Sequence, residues 1–106
     1  MCSRGGNAAD KQYCVYIMAS SRNGTLYIGS TSDLKGRVWE HKNKVNPKSF
    51  TAKYSIFKLV YYEECADALE MVGTERNLKK WNRAWKLSLI EKDNPSWDDL
   101  SKGWFD

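Results

Sequence analysis

The sequence predicts an α+β fold in which a small three-stranded antiparallel sheet is flanked by helices. Short runs of β-branched and aromatic residues at positions 13–18, 26–29 and 56–62 indicate the strands, and turn-forming residues separate the first two runs. Apolar residues at helical spacing after residue 33 and again after residue 67 indicate the helices. A chain of 106 residues is long enough for one such domain and too short for two.

The first two strands are predicted to form a hairpin. Asn23 and Gly24 lie between them, and this dipeptide favours the positive φ values that tight hairpin turns require. The centre of the hairpin falls near residue 22. We therefore expect Tyr16 and Tyr27 to lie opposite each other or nearly so.

The first helix is predicted to begin after the second strand, where residues 30–33 offer several N-caps, and to end near Lys44. Arg37 and His41 fall on the same face as the apolar residues Leu34, Val38 and Val45. The opposite face carries the charged residues Lys35, Glu40, Lys42 and Lys44. An arginine and a histidine on the face expected to meet the core indicate a role beyond packing.

The third strand, residues 56–62, precedes a longer helix. Asp67 and Glu70 form a capping box at its start, and the helix is predicted to run through Trp81 and on towards Ile90, with an interruption near Asn82. Its expected buried side consists of Met71, Val72, Leu78, Trp81 and Trp85. Glu75 lies on or beside that buried side.

Composition narrows the class of protein. The formal net charge is +4, which mildly favours an anionic partner. Cys2, Cys14 and Cys65 are odd in number and widely spaced, so we expect neither a disulfide framework nor a zinc site, and we expect a reducing compartment, the cytoplasm. No apolar run is long enough to span a membrane. Residues 1–11 are predicted to be a flexible leader and residues 12–106 a single domain.

Five polar residues occur where packing alone would not place them: Tyr16, Tyr27, Arg37, His41 and Glu75. Hydrolysis of a phosphodiester requires a base for water, a cation near the phosphate and positive charge for the developing oxyanion. Glutamate can hold Mg²⁺, arginine can clamp a phosphate, and a tyrosine beside a cation can have its pKa lowered enough to take a proton from water. The set is consistent with metal-assisted phosphodiester cleavage.

These residues resemble the motifs of the GIY-YIG nuclease superfamily. Val15-Tyr16-Ile17 is similar to its first triplet and Tyr27-Ile28-Gly29 to its second, and Arg37, His41 and Glu75 follow in the family's order. The resemblance covers about residues 13–100. It is greatest to the small single-domain bacterial members of UPF0213 type, which are often described as excinuclease C-subunit-like.

The resemblance implies a GIY-YIG endonuclease fold and a role for each matching residue. Tyr16 and Tyr27 would line the site near the attacking water, with one of them a candidate general base. Arg37 would support the phosphate, and His41 would move or orient a proton. Glu75 would be the single ligand of Mg²⁺ or Mn²⁺, and DNA would be the substrate. Lys42 and Lys79, together with Arg37, are candidate contacts to the nucleic acid.

Two positions depart from the family pattern. Gly36 and Thr74 stand where relatives often carry a basic residue, and a glycine inside a helix costs about 1 kcal/mol relative to alanine. The family's late asparagine has no secure match, and Asn82 and Asn94 are the candidates.

Other interpretations remain open at this point. Arg37 and Glu75 could form a buried ion pair that joins two helices. The chain could be a catalytically weak or inactive nucleic-acid-binding module on the same scaffold, or a protein-interaction module that uses residues 97–104. A separate protein partner could supply the choice of target. The sequence gives no oligomeric state.

Overall fold

The structure is a computed structural model that describes residues 12–105. It contains three strands and four helices in chain order. The elements are β1 (Cys14–Ala19), β2 (Leu26–Thr31), α1 (Leu34–Lys42), α2 (Phe50–Lys53), β3 (Lys58–Glu64), α3 (Ala68–Lys80) and α4 (Arg83–Asp93). The predicted α+β class and the three antiparallel strands are confirmed. The predicted leader, residues 1–11, lies outside the described residues.

β1 is the central strand of the sheet, whose strand order is β2-β1-β3 with antiparallel neighbours. Every residue of β1 is buried, because helices cover both faces of the sheet. One face packs Tyr16 and Met18 against Leu34 and Val38 of α1. The other face packs β1 against α3, α4 and the tail through Val15, Ile17, Leu78, Ile90 and Trp97. The continuous apolar run of β1 follows from this two-sided burial.

Tyr16 and Tyr27 lie nearly opposite each other across the hairpin, as expected, but they are not a directly opposed pair. Tyr16 pairs with Gly29, and Tyr27 pairs with Met18, so the two tyrosines are diagonal neighbours on one face of the sheet. The hairpin is centred between residues 22 and 23, whereas direct opposition of the tyrosines would need a centre between residues 21 and 22. A change of one residue in the centre moves one strand by two residues relative to the other. Asn23 supplies the positive φ in the connecting loop, at 57°.

The first helix is shorter than predicted, and a second one was missed. α1 ends at Lys42, which leaves Val45 in the following loop with 56% of its surface exposed. Ser49 accepts a hydrogen bond from the Ala52 amide and starts α2, a helix of four residues that no periodicity in the sequence indicates.

The predicted interruption near Asn82 is confirmed, since α3 ends at Lys80 and the Asn82 side chain caps α4. The expected buried side of this region is partly wrong: Leu78 is buried as predicted, but Val72 and Trp85 are exposed, and Ile90 is buried in addition. A change of direction at residues 81–82 turns α4 relative to α3, so a single helical periodicity does not describe both helices.

The chain after α4 returns to the body of the protein. Trp97 is fully buried, its indole Nε1 donates to Glu91, and the Leu100 amide donates to the Leu59 carbonyl. Trp104 packs edge-on against Tyr62. Trp97 therefore belongs to the core and offers no exposed surface. Contact of the remaining residues of 97–104 with another protein stays a hypothesis.

Of the two cysteines in residues 12–105, Cys65 is free and Cys14 is disulfide-bonded. The expectation of a reducing compartment did not foresee this bond, because spacing along the sequence does not report distance in space. Within residues 12–105, no helix is long and apolar enough to cross a bilayer. The cytoplasmic location stays a prediction.

Gly29 is required by the packing of a neighbouring side chain. A Cβ atom at this position would lie 2.6 Å from the Tyr16 hydroxyl, 2.7 Å from Tyr16 Cζ and 2.9 Å from Tyr27 Cε2. Those distances are shorter than van der Waals contact, and Tyr16 is fully buried, so its ring has little room to move. The glycine therefore fixes where the Tyr16 hydroxyl lies.

We expect Gly29→Ala to lower the free energy of unfolding by about 1–3 kcal/mol, because the added methyl group overpacks the space beneath Tyr16. Urea denaturation followed by circular dichroism measures the change. Gly73→Ala is the matched control: no atom lies within 4 Å of a Cβ there, and the site is in α3, so alanine should leave stability unchanged or raise it by up to about 1 kcal/mol. Equal effects of the two substitutions would contradict the proposed close packing.

Candidate active site

Three aromatic side chains meet on the α1 face of the sheet. Tyr16 comes from β1, Tyr27 from β2 and His41 from the last turn of α1. Their ring centroids are 5.4 Å to 6.2 Å apart, and the Tyr16 hydroxyl lies 2.9 Å from His41 Nε2. The structure thus brings together three of the five residues singled out in the sequence, with a hydrogen bond between two of them.

The other ring nitrogen of His41 is also engaged. His41 Nδ1 lies 2.8 Å from Thr51 Oγ1, and Thr51 Oγ1 lies 3.2 Å from Ser49 Oγ. Thr51 is buried in α2, so this contact holds the imidazole plane. When Nδ1 carries the proton and donates to Thr51, Nε2 is left as the acceptor for the Tyr16 hydroxyl.

Burial keeps both members of the Tyr16–His41 pair neutral. Burial, with the neighbouring Tyr27 as the next cause, raises the pKa of Tyr16 above its ordinary value of 10.0, although Arg37 opposes the shift. Burial and the positive charge of Arg37 lower the pKa of His41 below its ordinary value of 6.5, with Glu40 opposing. At Tyr16 the effect of burial on the pKa outweighs that of the nearby arginine. A lowering of this pKa by a bound cation stays a prediction.

Arg37 lies at the edge of the aromatic cluster and not in the core. Its side chain is 44% exposed, and its Nε is 3.3 Å from Glu40 Oε1 within α1. The expectation that Arg37 faces the core is wrong, because only Leu34 and Val38 of this helix are buried. An exposed ion pair of this kind is worth little, so the guanidinium can exchange Glu40 for another anion at small cost.

Glu75 approaches the site from the opposite face of the sheet, where α3 packs. Its Oε1 accepts a hydrogen bond of 2.5 Å from Ser30, and its Oε2 is 2.7 Å from the Lys79 ammonium. Burial disfavours the carboxylate, but the hydrogen bonds from Lys79 and Ser30 outweigh burial and lower the pKa of Glu75. Arg37 and Glu75 pair with other residues, so the hypothesis of a buried ion pair between them is wrong.

The candidate site has two halves, the aromatic cluster on one face of the sheet and Glu75 on the other, and they meet at residues 29 and 30 of β2. Tyr16 lies against Gly29 on one face, and Glu75 bonds to Ser30 on the other. Because consecutive strand residues point to opposite faces, neighbouring positions of one edge strand connect both halves. Glu75 and Arg37 both affect the pKa of Tyr16, which is consistent with five charged or polar groups at one edge of the sheet.

The two candidate lysines are both paired. Lys79 is bound to Glu75 and remains 56% exposed. Lys42 was expected on the solvent face, but its ammonium lies 2.5 Å from Asp99 Oδ2 and its side chain is only 26% exposed. The tail that follows α4 brings Asp99 back to α1, and this contact could not be foreseen from helical spacing. Contact of either lysine with nucleic acid stays a prediction.

Neither departure from the family pattern removes a site residue. Gly36 lies in the first turn of α1, where its amide donates to the capping Asp33 carboxylate and a Cβ would overlap that carboxylate. The cost expected for a glycine inside a helix therefore does not apply in full. Thr74 lies beside Cys65, away from the aromatic cluster.

The two asparagine candidates have structural contacts. Asn94 is buried, and its amide donates to the carbonyls of Val60 and Asp98, which anchors the tail to β3. Asn82 caps α4. Neither contacts the residues of the candidate site.

Sequence reasoning missed Ser30 and Thr51. A signal for Ser30 was present, because alternation along β2 places residue 30 on the face opposite Tyr27 and Gly29. No signal indicated Thr51, since its position depends on how α2 folds back onto α1.

One carboxylate is available for a cation. Within residues 12–105 no group of three or more histidine, cysteine, aspartate or glutamate residues could hold a metal ion. A lone carboxylate still suits Mg²⁺, which takes one or two carboxylates and completes its shell with water and phosphate oxygens. Glu75, ionised and partly exposed, fits that requirement once Lys79 moves away.

Comparisons with known proteins show which family the chain resembles. Residues 12–88 match the family described as the GIY-YIG catalytic domain. A UPF0213 protein of Autographa californica nuclear polyhedrosis virus is 38% identical over 84 residues, which cover 77% of this chain and 79% of the viral protein. A UPF0213 protein of Syntrophus aciditrophicus is 36% identical over 81 residues, which cover 76% of this chain and 91% of the bacterial protein.

A solved structure supports the fold alone. The solution NMR structure of a UPF0213 protein from Bacillus halodurans superimposes with a TM-score of 0.52 at 22% identity. The superposition covers 87% of this chain and 97% of that protein.

We expect the imidazole of His41, the one histidine of the chain, to titrate with a midpoint below pH 6.5 in the folded protein. As the pH falls, the imidazole of the unfolded chain is protonated before that of the folded protein. The contribution of neutral His41 to the free energy of unfolding is therefore complete above pH 6.5 and is lost as the pH falls through the pKa of the folded protein. Imidazole NMR signals followed against pH measure the midpoint. Arg37→Gln should raise the midpoint, because the positive charge near the imidazole is removed. Arg22→Gln in the hairpin loop is the control and should leave the midpoint unchanged. A midpoint at or above 6.5 in the unaltered protein would contradict the burial of this ring.

Proposed function

The chain belongs to the GIY-YIG family, and on that basis we propose that it is a metal-dependent endonuclease that hydrolyses phosphodiester bonds in DNA. The observation that supports the proposal most strongly is the convergence of two groups on adjacent residues of β2: Tyr16, which is hydrogen-bonded to His41, lies against Gly29, and Glu75 bonds to Ser30. Tyr16, His41 and Glu75 come from three different elements. A polar cluster of this kind at the edge of a sheet suits a site that must admit a polymer.

Water is activated through the Tyr16–His41 pair. The Tyr16 hydroxyl takes a proton from water as it passes its own proton to His41 Nε2. This coupled transfer avoids a free buried phenolate, which the raised pKa of Tyr16 makes costly. It also requires a neutral imidazole, and the lowered pKa of His41 supplies one at neutral pH. Thr51 positions the imidazole by accepting a hydrogen bond from the Nδ1–H group. Tyr27 confines the water beside Tyr16.

The phosphate and the cation take the outer positions. Arg37 leaves Glu40 and donates to the oxygens of the scissile phosphate. Glu75 would hold Mg²⁺ or Mn²⁺, with Ser30 orienting its carboxylate. When bound there, such an ion would supply Lewis-acid stabilisation of the charge on the phosphate oxygens. Lys79, released from Glu75, is free to contact a neighbouring phosphate.

A second candidate is a nucleic-acid-binding module that does not cleave. The ion pair between Glu75 and Lys79 favours it, because the lysine neutralises the carboxylate that a cation would need. Such a module would bind DNA in a salt-sensitive manner and would show no turnover with any divalent ion. In either case a separate protein partner could supply the choice of target.

We expect the protein to cut DNA in the presence of Mg²⁺ or Mn²⁺ and Glu75→Gln to lower the rate by at least about a hundredfold, since the side chain that holds the ion loses its charge. The assay uses plasmid, branched and single-stranded DNA, with and without a chelator. Glu70→Gln is the control, because Glu70 lies on the same helix in the capping box at the Ala66 amide. Cutting by Glu75→Gln at the rate of the unaltered protein would overturn the assignment, and salt-sensitive binding without cutting would favour the module.

A further inference from the structure

An open groove lies directly beside the candidate site. It has a volume of about 320 Å³ and is lined by Leu26, Tyr27, Ile28, Phe50, Lys79 and Lys86. Tyr27 belongs to both the site and the wall of the groove, and Lys79 is the partner of Glu75. Whatever occupies this groove therefore lies next to the place where the phosphate would be cleaved.

Phe50 is an exposed aromatic residue that the core does not explain. It is 47% exposed, and its ring centroid lies 6.2 Å from Tyr27 and 4.7 Å from Tyr54. Tyr54 is itself 46% exposed, and the Lys53 ammonium lies 5.6 Å from the centroid of its ring. Phe50 in α2 and Tyr54 directly after it thus present two adjacent rings to solvent, and Phe50 also lies next to Tyr27. Adjacent exposed rings are the usual surface on which unpaired bases stack.

The charges and the size of the groove restrict its occupant. Its lining contains two lysines and no acidic residue, and its other four residues are aliphatic or aromatic. Apolar surface beside two cations suits a flat base attached to a phosphate. The volume is at the lower end of the range for small-ligand pockets, which matches about one nucleotide and not a duplex.

We propose that this groove holds the base of an unpaired nucleotide adjacent to the scissile phosphate, with the base stacked on Phe50 and its phosphate at Lys79 and Lys86. The proposal rests on the proposed function, for which it names a substrate class. In a duplex both faces of each base are covered by neighbouring pairs, so a base reaches Phe50 only where the strand is single or locally unpaired. The preferred substrate is therefore single-stranded DNA, or a junction or flap with an unpaired nucleotide at the cut.

The test measures binding without cleavage. Fluorescence anisotropy with a chelator present compares a labelled single strand of about 12 nucleotides with a duplex of the same length. We expect the single strand to bind at least about fivefold more tightly, and Phe50→Ala to weaken its binding by about tenfold while changing duplex binding by less than about twofold. A 2-aminopurine base in the single strand should lose fluorescence on binding, because stacking on an aromatic ring quenches it.

Trp39→Ala is the matched control, since Trp39 is also 47% exposed but lies on α1 outside the groove. Phe50→Leu tests the aromatic face, and it should resemble Phe50→Ala because leucine fills the space without offering a flat ring. Equal affinity for single strand and duplex, no effect of Phe50→Ala, or an equal effect of Trp39→Ala would overturn the proposal. These measurements need no metal and no turnover, so they do not depend on cleavage. Base stacking that is retained in Glu75→Gln, while cleavage is lost, would show that the groove and the proposed cleavage reaction can be tested separately.

Discussion

The contact between the Tyr16 ring and Gly29 is the constraint on which the site depends. Tyr16 is fully buried on the central strand, and its hydroxyl reaches His41 only because residue 29 has no side chain. The same short stretch of β2 places Ser30 on the other face, where it bonds to Glu75. The core and the site are therefore one arrangement, since packing of a core tyrosine sets the geometry of a reactive pair.

Solvent exposure separates the groups by their chemical role. Tyr16 and His41 lie inward, where burial raises the pKa of the first and lowers that of the second, so both are neutral until a proton moves between them. Arg37 and Glu75 lie outward, with side chains 44% and 21% exposed, and each is held by a partner that a phosphate or a cation can replace. Neutral groups inside and exchangeable charges outside suit a site that binds an ionic substrate at its surface.

Local chemistry made most of the fold predictable from the sequence. The strands, the Asp67–Glu70 capping box and the break at Asn82 each depend on a few neighbouring residues. The features that were missed depend on distant parts of the chain: the return of residues 94–105 to β3, the pairing of Lys42 with Asp99, and the packing of α2 against His41. The five candidate residues were singled out because they follow the order of the GIY-YIG motifs at spacings that packing does not require. Their hydrogen-bonding partners Ser30 and Thr51 were missed, although the alternation along β2 gave a signal for Ser30.

The response of the His41 imidazole signals to Mn²⁺ tests most directly whether the two faces of the sheet form one site. Paramagnetic broadening falls steeply with distance, and the chain has a single histidine. If Glu75 holds the ion beside Tyr16, small amounts of Mn²⁺ should broaden these signals in the unaltered protein and leave them sharp in Glu75→Gln. Signals that stay sharp in the unaltered protein, or that broaden equally in Glu75→Gln, would show that the carboxylate and the Tyr16–His41 pair do not share a metal site.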